Sequence, residues 1–150
     1  MNLKHWFQQP FLVPTKAALF LVAISLLGFL DASYLTAQHY LKGVVPCSLG
    51  GCETVLSSSY STLLNIPIAL FGALFYACIF FLSLRIWEKG TGAFFNFILV
   101  TTGFSFLVSL GLVYIQFFVL GALCLYCLGS AFSSTLLFGT SLFIYIKNRA

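Results

Sequence analysis

Long apolar stretches separated by short polar segments dominate the chain. Four of them are long enough to cross the roughly 30 Å apolar core of a bilayer as a helix, and they cover about residues 17–39, 63–85, 93–119 and 123–146. The last two lie within an uncharged run of 57 residues, 90–146. As a helix this run would be about 85 Å long, so it must hold two crossings and a turn, which we place near Gly121. The pattern predicts an all-α membrane protein, a four-transmembrane-helix bundle that forms a single domain over residues 1–150.

The distribution of Lys and Arg predicts the orientation of this bundle. With four spans both termini lie on one side, and only Lys42 falls on the other side. Because positive residues collect on the cytoplasmic side of membrane proteins, we expect both termini to be cytoplasmic. The net charge of +4 is explained by this topology and by anionic lipid, and nothing in the sequence suggests a nucleic-acid partner.

The segment between the first two spans, residues 40–62, is the most polar part of the chain. In the predicted topology it is a long extracytoplasmic loop, and its second half, "CETVLSSSYSTLL", has the composition of a short surface helix. A loop of this length in so small a protein is more often functional than not. We therefore expect the chemistry of the protein on this side of the membrane.

Four of the five cysteines fall in the two extracytoplasmic segments. Cys47 and Cys52 are separated by four residues in a Gly-containing loop and can close a small ring, on the face of the membrane where disulfides persist. Cys124 and Cys127 form a CxxC motif at the start of the fourth span. At a helix N-terminus the free backbone N–H groups and the helix dipole lower the pKa of the first cysteine. This arrangement is typical of thiol–disulfide exchange.

Other interpretations of the cysteines remain open at this point. Both pairs can be structural disulfides, although a packed bundle gains little from one that joins the first turn of a helix to itself. A zinc site of four thiolates needs two tightly spaced pairs, which "CSLGGC" does not offer, so we predict no metal. If exchange is correct, electrons that enter at the loop need an acceptor in the bilayer, and a lipid-soluble quinone is the obvious one.

The order of these features resembles a known family. Four spans, a cysteine pair in the loop, "CETVLSSSYS", "IPIALFG" at the second span and CxxC at the fourth are similar to the bacterial homologues of vitamin K epoxide reductase. The resemblance implies a quinone-linked membrane oxidoreductase that reoxidises a thioredoxin-like (DsbA-like) protein and supports disulfide formation. It also implies the cytoplasmic (inner) membrane of a prokaryote, and a separate partner protein because no thioredoxin-like segment follows residue 150.

The resemblance further implies a role for individual residues. Cys127 meets the quinone, Cys124 exchanges with the loop pair, and Cys47 and Cys52 carry electrons from the partner, with Cys47 on the outer side. Ser58, six residues after Cys52, matches a serine near the quinone. Phe71, in the matching "IALFG" segment, is a further quinone contact. Ubiquinone and menaquinone fit equally well.

The chain departs from the animal enzymes at two positions. Ile68 stands where they carry an Asn that donates to the vitamin, and Ala131 stands where they carry a Tyr. These departures weigh against epoxide reduction and leave thiol oxidation by a quinone intact.

Two other protein classes remain alternatives. The DsbB type of quinone-linked oxidase also has four spans and two cysteine pairs, but its CxxC lies in the first outer loop. A non-catalytic membrane scaffold with structural disulfides is the third interpretation.

Polar residues within the spans also have a structural interpretation. Asp31 lies in the outer part of the first span, where an ionised carboxylate is costly, and we expect it to be hydrogen-bonded inside the bundle. His39 is expected to anchor the helix at the interface beside Tyr40. Cys78, in the middle of the second span, is expected to be a small buried apolar residue.

Overall fold

Four long helices form the protein in the computed structural model, which describes residues 11–48, 50–92 and 94–150. Helix α1 covers Thr15–Leu41, the short helix α2 Cys52–Leu56, α3 Ile68–Lys89, α4 Phe95–Tyr114 and α5 Leu125–Arg149. A π-helical stretch, Ile115–Leu120, continues α4. The four long helices are each apolar and long enough to cross a membrane. The predicted all-α, four-helix membrane fold is therefore confirmed.

Proline and left-handed residues set the ends of these helices. Pro14 and Pro67 directly precede α1 and α3, where a missing N–H costs nothing because the first N–H groups of a helix have no partner within it. After α1, α3 and the π-helical stretch the chain reverses at Lys42, Gly90 and Gly121, with φ of 49°, 65° and 59°. A residue with positive φ at this place ends a helix and satisfies its last carbonyls. The turn predicted near Gly121 is present.

Within the described residues, four two-residue strands form two small antiparallel sheets. Strand β1 (Phe11–Leu12) pairs with β4 (Thr91–Gly92), and β2 (Thr62–Leu63) pairs with β3 (Ile66–Pro67). The second sheet is a tight hairpin whose two turn residues, Leu64 and Asn65, have positive φ, as a two-residue hairpin turn requires. The second span therefore begins at residue 68, five residues later than the apolar pattern suggests, because residues 62–67 are used by the hairpin.

The helices pack unevenly around the bundle. Helix α1 packs along α3 and α5, and α4 packs on α5, whereas α3 and α4 have little direct contact across the described residues. The ring of Tyr76 lies directly against Gly28, so residue 28 has no room for a Cβ. The Tyr76 hydroxyl donates to the carbonyl of Ser130 at 2.6 Å, which joins α3 to α5. The side of the bundle between α3 and α4 is left open.

Two expectations about polar residues in the spans were wrong. Cys78 is exposed rather than buried, because it lies on the face of α3 that points away from the bundle. Asp31 is half-buried, and its Oδ2 has no hydrogen-bond partner in the part of the chain that the structure describes. Its neighbours on α1 bond to the backbone of their own helix instead, as Thr36 does with the carbonyl of Ala32 at 2.7 Å.

Candidate active site at the loop end of the bundle

The loop cysteines lie at the end of the bundle that carries residues 42–67 and the turn 121–124, hereafter the loop end. Cys47 and Cys52 form a disulfide with their Cα atoms 5.9 Å apart. Cys52 is the first residue of α2 and is fully buried, whereas Cys47 is half-buried. Cys47 is thus the more accessible sulfur of the pair.

A glycine lets this loop lie directly on the turn before α5. Gly51 is buried, and a Cβ at this position would stand 2.6 Å from both the backbone nitrogen and the backbone oxygen of Leu123. No real Cβ contact is that short, so any side chain would separate the two segments. The absence of a side chain at residue 51 therefore brings Cys52 to the turn that ends at Cys124.

The CxxC pair sits at the N-terminus of α5. Cys124 directly precedes the helix, Cys127 lies in its first turn, and both are free thiols. The backbone N–H of Cys127 donates to the Sγ of Cys124 at 3.4 Å. Hydrogen bonds from the Cys127 thiol and from the backbone N–H groups of residues 126 and 127 lower the pKa of Cys124 below its ordinary value, although burial opposes them. Cys124 is therefore favoured as the thiolate of this site.

One buried cluster joins the two cysteine pairs. Cys52 and Cys124 are both fully buried members of it, and Cys47 and Cys127 pack against it. Its remaining buried members are apolar: Leu35, Val45 and Val55. The described ranges contain no group of three or more His, Cys, Asp or Glu that could hold a metal ion. The fold thus brings together the four cysteines that the sequence singles out.

A cavity of about 550 Å³ opens beside the CxxC pair, in the gap between α3 and α4. Its walls are mostly apolar, and Ser58, Phe71 and Cys127 all line it. Cys124 and the loop cysteines are absent from the wall. Cys127 therefore stands between the cysteine cluster and the cavity. This volume is in the usual range for a site that binds a small organic molecule.

Ser58, which was expected near the quinone, and His39, which was expected at the membrane interface, both have local contacts. The Ser58 hydroxyl donates to the carbonyl of Val55 at 2.7 Å, so its hydrogen is used at the end of α2. His39 also lines the cavity, and its ring meets the Tyr40 ring edge-on with centroids 5.7 Å apart. Ser58 can accept a hydrogen bond from a ligand in this state but does not donate one.

Two residues of the site were missed by the sequence analysis. Gln116 accepts a hydrogen bond from the backbone N–H of Cys124, and Gly51 supports the loop on the turn. Gln116 could have been identified from the sequence, because a carboxamide inside a long uncharged run is costly in a membrane and marks a candidate functional residue. Gly51 could not have been identified in this way, because its role depends on a contact with a residue 72 positions away.

The chain is similar to known proteins over most of its length. The chain is 32% identical over 119 residues to "Thiol-disulfide oxidoreductase LTO1" of Arabidopsis thaliana, a match that covers 73% of this chain and 31% of the relative. The chain therefore spans about a third of the length of this relative. A sequence model described as "Vitamin K epoxide reductase family" matches residues 19–142, which include both cysteine pairs and the cavity. The chain belongs to the vitamin K epoxide reductase family.

Proposed function

We propose that this protein is a membrane thiol–disulfide oxidoreductase that oxidises a thioredoxin-like dithiol protein and passes the electrons to a membrane quinone. The Arabidopsis relative is named a thiol-disulfide oxidoreductase, which supports the first half of this proposal. The position of Cys127 carries the second half, because this residue both packs on the cluster that holds Cys52 and Cys124 and lines the cavity.

The proposed route runs through two disulfide exchanges. The dithiol partner reduces the Cys47–Cys52 disulfide through the more accessible Cys47 and becomes oxidised. The reduced loop pair then exchanges with a disulfide between Cys124 and Cys127 through Cys52, which shares the buried cluster with Cys124. Each exchange moves two electrons and two protons and passes through a mixed disulfide.

The last step takes place at the cavity. The Cys124–Cys127 dithiol becomes a disulfide, and the quinone receives two electrons and two protons to become a hydroquinone. Cys127 faces the cavity, and the low pKa of Cys124 supplies the thiolate that closes the disulfide. The apolar walls suit a lipid-soluble ring, and the gap between α3 and α4 offers it a route from the bilayer.

The orientation that follows from Lys and Arg belongs to the same proposal. It puts the loop end on the extracytoplasmic side of a prokaryotic cytoplasmic membrane, with the termini inside. Disulfides persist in that compartment, and the Cys47–Cys52 pair is then accessible to a dithiol partner.

Quinone reduction by the purified protein in detergent tests the proposal. A reduced thioredoxin-like protein would serve as electron donor, and short-chain ubiquinone and menaquinone analogues as acceptors. We expect turnover in the wild type and none in Cys127→Ala, because the thiol that faces the cavity is lost.

Cys78→Ala is the matched control, since it removes the exposed free cysteine of α3, which lies outside the cluster and the cavity. This variant should retain the wild-type rate. A folded wild-type protein that reduces no quinone analogue, or full activity in Cys127→Ala, would contradict the relay and favour a scaffold with structural disulfides.

A further inference from the structure

Gln116 connects the cavity to the CxxC pair. It is buried in the π-helical stretch Ile115–Leu120, and its Oε1 accepts the backbone N–H of Cys124 at 3.0 Å. Its backbone carbonyl accepts the N–H groups of Gly121 and Ala122. Gln116 therefore holds both ends of the turn 121–124 through one side chain and one carbonyl.

The hydrogen bond to Cys124 also determines how the carboxamide is oriented. A backbone N–H needs an acceptor, and the oxygen is the only acceptor of a glutamine side chain. The nitrogen, Nε2, must then point away from Cys124 with two hydrogens to donate. None of the hydrogen bonds found among the described residues uses Nε2, and Gln116 lines the cavity.

Four of the side-chain hydroxyl groups that line the cavity donate their hydrogens within the protein, whereas Tyr60 and Ser105, which also line it, donate no hydrogen bond among the described residues. Ser61 donates to the carbonyl of Leu56 at 2.7 Å, and Thr101 donates to that of Phe97 at 2.8 Å. Ser58 and Tyr76 likewise donate to carbonyls. Gln116 differs from these four side chains in two ways: its donor is unused, and it is bonded directly to the CxxC motif.

We propose that Gln116 is a quinone-contacting residue whose Nε2 donates a hydrogen bond to a carbonyl oxygen of the quinone while Oε1 holds Cys124. As two electrons leave the thiols, negative charge grows on that oxygen, and a fixed donor stabilises it. The amide keeps its own hydrogens, because the two protons of the hydroquinone come from the two thiols. The proposal rests on the proposed function. It gives the quinone a hydrogen-bond donor that Ile68, at the position of the Asn in the animal enzymes, cannot provide.

Gln116→Glu separates the two roles of the side chain. The carboxylate can still accept the Cys124 N–H but has no hydrogen to donate, and it faces the growing charge on the quinone. We expect the KM for quinone to rise about tenfold, which corresponds to the loss of one hydrogen bond to a charged group. Electron transfer from the reduced partner to the Cys124–Cys127 disulfide, measured without quinone, should change by a smaller factor than the KM, because the Cys124 N–H keeps its acceptor.

Gln116→Met, which has a similar shape and neither polar group, should raise the KM and also slow the exchange with the partner. Gln38→Glu is the matched control, because it makes the same chemical change at the loop end outside the cavity. An isotope-edited infrared spectrum of the bound quinone gives a second readout. Its carbonyl band should move to higher frequency in Gln116→Met, and this measurement keeps the proposal testable if the Glu variant fails to fold.

A KM within twofold of the wild type in Gln116→Glu, or an unchanged carbonyl band in Gln116→Met, would overturn the assignment of Gln116 while the wild type still reduces quinone. Failure of the wild type itself to reduce quinone would overturn the proposed function as well. The two failures are thus distinguishable.

Discussion

At the residue scale, the reactivity of the site depends on hydrogen bonds to one sulfur. Cys124 precedes α5 and receives hydrogen bonds from the thiol of Cys127 and from backbone N–H groups of the first turn. The CxxC spacing places these donors, so this part of the site could be predicted from the sequence. The opposing effect of burial could not, because it depends on residues from α1, α2 and the loop.

Removing one of those donors should raise the pKa of Cys124. In Cys127→Ala the thiol donor is lost, and we expect the lowered pKa of Cys124 to rise towards the ordinary value of a cysteine thiol. Since the thiolate is the reactive form, labelling of Cys124 would then need a higher pH. The pH dependence of the methanethiosulfonate labelling rate measures this, in proteins that also lack Cys47, Cys52 and Cys78.

Cys127→Ser in the same background is the matched control, because its hydroxyl can still donate to the thiolate. The pKa of Cys124 should be lower in Cys127→Ser than in Cys127→Ala. Equal values in the two variants would show that the side-chain hydrogen bond contributes little.

A second prediction at this scale concerns Asp31. Its Oδ2 is buried without a hydrogen-bond partner among the described residues, and an unsatisfied polar group of this kind costs about 1–3 kcal/mol. Asp31→Leu, which has a similar volume, should therefore raise the thermal unfolding temperature in detergent. Glu53→Leu, at an exposed site of α2, is the comparison and should leave it nearly unchanged. A lower unfolding temperature in Asp31→Leu would mean that the carboxylate has a partner in the folded protein.

At the scale of elements, the important contact is that of the loop with the turn before α5. The sequence indicates a short helix in the loop, and α2 is present at Cys52–Leu56. The hairpin of residues 62–67 was not predicted, since Leu64 and Asn65 must both adopt positive φ in a segment that reads as apolar. Local propensity disfavours a leucine there, and the tertiary fold overrides it.

Gly51→Ala tests whether this contact brings the two cysteine pairs together. The added methyl group would meet the backbone of Leu123 at 2.6 Å, so the loop must move away. We expect the exchange between the loop pair and the CxxC pair to slow at least tenfold, measured by rapid quench after addition of reduced partner. Reduction of the Cys47–Cys52 disulfide by the partner should change little.

Gly111→Ala is the control for this substitution, because a Cβ at that position in α4 meets nothing within 4 Å. It should exchange at the wild-type rate. An unchanged exchange rate in Gly51→Ala would show that the close contact of Gly51 with Leu123 is not needed for the loop pair to reach the CxxC pair.

At the scale of the whole molecule, the uneven packing of the helices creates the cavity. Helices α1, α3 and α5 pack together and α4 joins them through α5, so the side between α3 and α4 stays open next to Cys127. The four apolar stretches of the sequence do not indicate which pairs of helices pack closely. A membrane helix that faces lipid and one that faces an apolar cavity have the same composition.

A larger side chain in the cavity should slow quinone reduction without affecting thiol exchange. Ser105 lines the cavity from α4, and we expect Ser105→Trp to lower the rate of quinone reduction by about tenfold or more. Leu107→Trp, on the exposed face of the same helix, should keep the wild-type rate. Both rates come from the detergent assay with a reduced partner. A normal rate in Ser105→Trp would place the quinone outside this cavity.

The number of membrane helices and the turn near Gly121 could be predicted from the sequence alone, and the sequence also singles out the four cysteines. Hydrophobic length and residue spacing are local properties, and they can be read along the chain. The contact of Gly51 with Leu123, the hydrogen bond between Gln116 and Cys124 and the cavity at Cys127 are visible only in the folded protein. These contacts join residues far apart in the chain, and their geometry depends on how whole helices pack.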